Sequence, residues 1–146
     1  MHFQGSFEVA APPDKVYAFV TDPRKVTTIF PDASDLKVAD ENNFSAKIKV
    51  GMSFIRGTLD VKMNMVEKRP GEFAKLKARG NGMNSSVDLE SSFTLAGASS
   101  GGTVISWVAD AKISGMMASV GSRLMDSAAE KYVRDIVSAL KKKLGS

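Results

Sequence analysis

Residues 3–9 alternate. Phe3, Gly5, Phe7 and Val9 fall on one side and Gln4, Ser6 and Glu8 on the other, the period of a half-buried strand. Ala11-Pro12-Pro13-Asp14 stops the alternation, and its prolines and acidic residue suit the first turn of a helix. Val16, Phe19 and Val20 lie at i, i+3 and i+4, which predicts a short amphipathic helix over about 12–21. Pro23 ends that helix, and Asp22-Pro23 is placed to cap a second one running to about Thr28.

From about 35 to 113 the period is two. Phe44, Ala46, Ile48 and Val50 form one apolar row, and Leu59, Val61, Met63 and Met65 a second. Ala74, Leu76 and Ala78 follow after the turn Arg69-Pro70-Gly71-Glu72, then Val87, Leu89, Phe93 and Leu95, then Ile105, Trp107, Ala109, Ala111 and Ile113. Consecutive strands with short turns predict an antiparallel meander of about six or seven strands, dry on one face and wet on the other. After Ser114-Gly115 the period lengthens. Met117, Val120, Leu124, Ala128, Tyr132, Ile136, Leu140 and Leu144 make one stripe of a helix over 116–144, interrupted only by Gly121. Glu130–Arg134 and Lys131–Asp135 are spaced to pair on its polar side, and Lys141, Lys142 and Lys143 suit its negative end.

A sheet with one dry face must be covered, and only the last helix carries a long apolar stripe. The expected fold is therefore α+β, a helix-grip: a curved antiparallel sheet around a long C-terminal helix, with two short helices after the first strand. The 146 residues fit a single domain over 1–146.

Composition removes several chemistries. There is no cysteine, which excludes disulfides, thiolate nucleophiles and cysteine-based metal sites. The single histidine, His2, argues against a multi-histidine metal centre, so no metal or cofactor is expected. A net charge of +4, scattered along the chain, does not point to nucleic acid. The N-terminus does not read as a signal peptide and no apolar run reaches the ~20 residues of a membrane span, so a cytoplasmic location is expected.

The inward rows contain almost no ionisable group, whereas general acid–base catalysis needs one in the cavity. The nearest carboxylates, Asp60 and Glu90, read as outward, and no catalytic residue is assigned. Many small residues and methionines along the strands instead predict an adjustable apolar cavity of at least roughly 300 Å³. Its expected lining is Ile48, Val61, Met63, Leu76, Leu89, Trp107, Met117, Val120 and Leu124, with an entrance near Ile29, Phe30 and Phe54. Arg123 and Asp126 at i, i+3 read either as a motif orienting a polar ligand head or as an ion pair fixing the helix entry. Lys75, Lys77 and Arg79 form an outward basic row, first a solvated face and second a surface for an acidic protein or anionic membrane.

Gly5-Ser6-Phe7, Ala11-Pro12-Pro13-Asp14-Lys15-Val16-Tyr17 and Asp22-Pro23 at the front, and Gly121-Ser122-Arg123-Leu124-Met125-Asp126 at the back, resemble the CoxG family of carbon monoxide dehydrogenase subunits, within the START/Bet v 1-like (SRPBCC) superfamily. The likeness covers nearly the whole chain. Many relatives carry Pro-Gly where this chain has Pro31-Asp32. The resemblance implies the helix-grip fold and a lipophilic ligand such as a lipid or quinone, carried in support of a redox enzyme. A peripheral membrane contact and a monomer or weak homodimer accompany that expectation. A cyclase- or dehydratase-type enzyme on the same fold and a ligand-free adaptor remain the alternatives.

Overall fold

The computed structural model describes residues 1–52 and 55–145. The chain runs β1 (His2–Val9), α1 (Pro13–Val20), α2 (Pro23–Val26), a 3-10 turn (Thr27–Ile29), β2 (Ala33–Asp40), β3 (Asn43–Met52), β4 (Ile55–Arg69), β5 (Phe73–Gly82), β6 (Ser85–Gly97), β7 (Thr103–Gly115), a second 3-10 turn (Met116–Val120) and α3 (Ser122–Leu144). All seven strands form one antiparallel sheet in the order β1-β7-β6-β5-β4-β3-β2.

Turn chemistry sets the register. Gly71 (φ 73) follows Pro70, and Glu72 N–H donates to the Arg69 carbonyl, a type II turn between β4 and β5. Met83 and Asn84 both have positive φ, which makes the β5–β6 connection a two-residue type I′ hairpin. The resulting register lines up the apolar residues across the strands. Phe44, Met63, Ala78, Leu89 and Ala111 stand side by side in one row, and Ala46, Val61, Gly80, Val87 and Ile113 in the next.

α1 buries Val16 and Val20, and the Asp22 carboxylate accepts from Arg24 N–H at 2.9 Å as the cap of α2. The final helix departs from expectation. It begins at Ser122, not at 116, because Gly121 has φ 92 and ψ 153, far outside helical space, and the residues before it form the second 3-10 turn. Lys131 and Asp135 pair at 3.0 Å, while Glu130 and Arg134 form no ion pair among the described residues.

α3 is held at both ends by backbone contacts. At its C-terminus, the N–H groups of Ala10 and Ala11 donate to the carbonyls of Gly145 (3.1 Å) and Leu144 (3.0 Å). The hydroxyl of Thr103, fully buried, donates to the Ala11 carbonyl at 2.7 Å and ties the same corner to β7. Ahead of its N-terminus, Met116 N–H donates to the Asn84 carbonyl at 3.0 Å, and Met117 N–H to Ser85 Oγ at 2.9 Å. Gly115 (φ 86) makes this approach feasible, since a Cβ there would overlap the Asn84 carbonyl. No helix among the described residues is long and apolar enough to cross a membrane.

Candidate functional site

The apolar interior is divided. A larger group joins Val9, Val16, Val20, Val26, Ile29, Phe44, Ala46, Met63, Leu95, Ile105 and Leu140, with Ile136, Ala139 and Leu144 of α3 packed against it. A smaller group joins Ile55, Leu59, Met117 and Met125, with Val120 and Ala128 against it. Val61 touches both.

Between them lie inward-facing residues that pack against neither. Ile48, Leu89 and Trp107 share the face of the buried rows yet are only half-buried, and so is Tyr132 on α3. Ala109 and Ala111 on β7 belong with them. An inward side chain that keeps solvent-accessible area borders open space, since close packing would remove that area. α3 therefore bridges this part of the sheet without filling it.

The expected lining separates accordingly. Ile48, Val61, Leu89 and Trp107 fall in or beside the seam, and Leu76 and Phe30 flank it as half-buried neighbours of the larger group. Ile29, Met63 and Met117 are each 4% exposed and so form packed backing rather than an open wall, a correction to the expected lining. Val120 packs on the smaller group. Leu124 is a second correction: the break at Gly121 rotates the helix start so that Leu124 is 37% exposed and Met125 takes the buried place. Phe54 lies outside the described residues.

Trp107 is positioned by a missing side chain. Gly5 lies opposite it in the β1–β7 register, and a Cβ on Gly5 would fall 2.8 Å from Trp107 Cζ2. The indole thus lies over bare backbone, and the glycine is the reason it can.

Tyr132 was legible only as one position of the helix stripe. Its hydroxyl is buried without a hydrogen-bond partner, and burial, with the negative charge of Asp32 adding to it, pushes the phenol up to about 12. The signal available in the sequence was that it is the one hydroxyl-bearing residue in an otherwise apolar stripe. Asp32 itself has φ 57, a left-handed conformation that explains why glycine suits this position in relatives.

The carboxylates stand elsewhere. Asp60 is exposed on the outer face opposite Lys47. Glu90 accepts from Lys75 at 2.6 Å, which holds its carboxyl below the usual range, and Arg79 pairs with Asp88 at 2.8 Å. The outer basic row is thereby largely paired across strands, as a solvated sheet face would be. Arg123 and Asp126 are both exposed and form no ion pair among the described residues.

Two concavities occur on the outer face. One, of about 970 Å³, takes three consecutive residues from most strands, such as Lys62-Met63-Asn64 and Asp88-Leu89-Glu90. In each triplet the outer two side chains point away from the helix, so they wall an open trough with the middle residue's backbone as floor. The other, about 430 Å³, repeats the pattern at Gln4-Gly5-Ser6 and Ser106-Trp107-Val108. Neither is the cavity expected beneath the helix.

A curved antiparallel sheet gripped around a C-terminal helix, with an apolar seam between them, defines a START/Bet v 1-like protein. The crystal structure of a conserved protein from Geobacillus kaustophilus is similar at a TM-score of 0.90 and 20% identity, covering 99% of this chain and 95% of that one. A START superfamily protein from Mycobacterium smegmatis is similar at 0.73 and 11% identity (98% and 96% covered), and Ara h 8.0201 at 0.68 and 13% (99% and 97%). The chain belongs to the CoxG family of carbon monoxide dehydrogenase subunits, whose model matches residues 5–145. Among curated proteins no relative matches.

Proposed function

We propose that this protein binds and carries a hydrophobic small molecule, a lipid or a quinone-like compound, in the seam between α3 and the sheet. Folds of this class commonly enclose hydrophobic ligands. The observation that carries the reading is the half-burial of Ile48, Leu89 and Trp107 on the inner face, beneath a helix pinned at both ends. A ligand in that space removes apolar area from water at roughly 25 cal/mol per Å², the driving force for its uptake. Delivery to a carbon monoxide dehydrogenase-type redox enzyme in the cytoplasm is the setting the family name suggests.

Native mass spectrometry of the purified protein tests the reading directly: an apolar organic molecule is expected to co-purify. Binding, followed by quenching of Trp107, the only tryptophan, is expected to survive Asp60→Asn and Glu90→Gln. It is expected to weaken in Leu89→Asn, because an unpartnered amide in a dry wall costs roughly 1–3 kcal/mol. Turnover of a polyketide or ester substrate that disappears in either carboxylate variant while binding persists would establish an enzyme instead.

A further inference from the structure

Tyr132 sits one helical turn from Ala128, which packs on the smaller apolar group, and one turn from Ile136, which packs on the larger. It packs on neither, and so belongs to the seam. Its hydroxyl is cut off from solvent and has no hydrogen-bond partner. A buried hydroxyl left in that state is costly, and native structures rarely keep one without a purpose.

Its surroundings locate it further. The charge of Asp32 is felt at the phenol, and Asp32 lies where the first 3-10 turn passes into β2. The Asp32 carbonyl accepts from Lys49 N–H at 3.2 Å, and the next residue, Ala33, pairs with Ile48. The hydroxyl is thus on the β3 side of the seam, near Ile48 and the Ile29–Phe30 end. A phenol protonated throughout the physiological range has a hydrogen to donate.

We infer that the Tyr132 hydroxyl is the polar contact within the ligand space and donates a hydrogen bond to a carbonyl or hydroxyl oxygen of an otherwise apolar ligand. This rests on the binding reading above and narrows it: the ligand class is an oxygen-bearing lipophile, not a bare hydrocarbon. The apolar seam supplies affinity, and the one donor supplies orientation.

The test is a matched pair of probes, a long-chain acylnaphthalene and the alkylnaphthalene of equal chain length, titrated calorimetrically into the wild type and Tyr132→Phe. The acyl probe is expected to bind the variant about 3- to 10-fold more weakly, the weight of one hydrogen bond. The alkyl probe is expected to bind both proteins equally. Equal changes for the two probes, including no change for either, overturn the inference while leaving the binding reading intact. If neither probe binds the wild type, both fall together. The variant's melting temperature without ligand is expected to hold or rise, because an unpartnered hydroxyl is removed. A marked fall would mean that the hydroxyl already has a protein partner, and would overturn the inference. An infrared spectrum of the acyl probe in the wild type needs no variant: its carbonyl stretch is expected at lower wavenumber than in hydrocarbon solvent, and an unshifted band counts against the donor.

Discussion

The two ends of the molecule are built differently. At the end where α3 finishes, eleven buried apolar residues from β1, α1, α2, the first 3-10 turn, β3, β4, β6, β7 and α3 lock together, and backbone hydrogen bonds fasten the helix to the loop after β1. At the end where α3 begins, four buried residues do the same work, two of them methionines, and the chain enters through two glycines with φ near 90°. Methionine adapts to irregular space where branched residues do not. The first end fixes the fold; the second closes the ligand space with softer material.

The sharpest way to break this comparison is truncation at the two ends. Leu140→Ala, in the larger group, is expected to cost about 2–5 kcal/mol in a urea titration, by lost transfer energy and the cavity left behind. Met125→Ala is expected to cost less, near 2 kcal/mol, because few packed neighbours surround it. Equal losses would remove the asymmetry. Gly121→Ala comes next, at about 1–3 kcal/mol. No atom lies within 4 Å of a Cβ placed there, so the loss is backbone strain alone.

Gly5→Ala probes the seam between the ends. The added methyl displaces the Trp107 ring, so altered indole emission and weakened ligand binding are expected with a smaller loss of stability than Leu140→Ala. A variant with unchanged emission would show that the ring does not rest on the glycine.

The smallest effect lies at the sheet edge. His2 Nδ1 and Asp110 Oδ1 approach to 2.6 Å, and that hydrogen bond raises the imidazole pKa above its usual 6.5. A raised folded-state value means that the contribution is fully present below about pH 6.5 and is lost as pH rises through the folded pKa. Both groups are exposed, so the effect on stability is slight. An NMR titration should show the His2 value falling in Asp110→Asn.

Most of the fold was legible because alternation survives in the long strands. β3 to β7 each carry an uninterrupted apolar row, and one residue of slip would turn that row to water. β2 was hidden: its register shifts between Ser34 and Lys37 and again between Val38 and Asp40, and these breaks erase the period. The helix start was misplaced because the apolar stripe continues through Gly121, while the backbone there does not. At the site, the pattern identified the inner face but could not tell packed from open positions. Met63 and Leu89 are neighbours in one row with the same hydropathic signature, yet one is sealed and the other half-exposed. That difference arises from where the helix passes, which is information of tertiary contact rather than of local period.

The irregularity of β2 has a consequence for how copies of this chain meet one another. An open sheet leaves its outermost strands with hydrogen-bonding groups that invite a neighbouring chain to extend it. β2 presents only short stretches in register, broken twice, with Asp35 in a left-handed conformation (φ 52) between them. Lys37 and Asp40 stand exposed along it. A strand docking from solution would find no run long enough to pair with before the backbone turned away, so the same breaks that hid β2 from the periodicity protect the protein from aggregating along that edge.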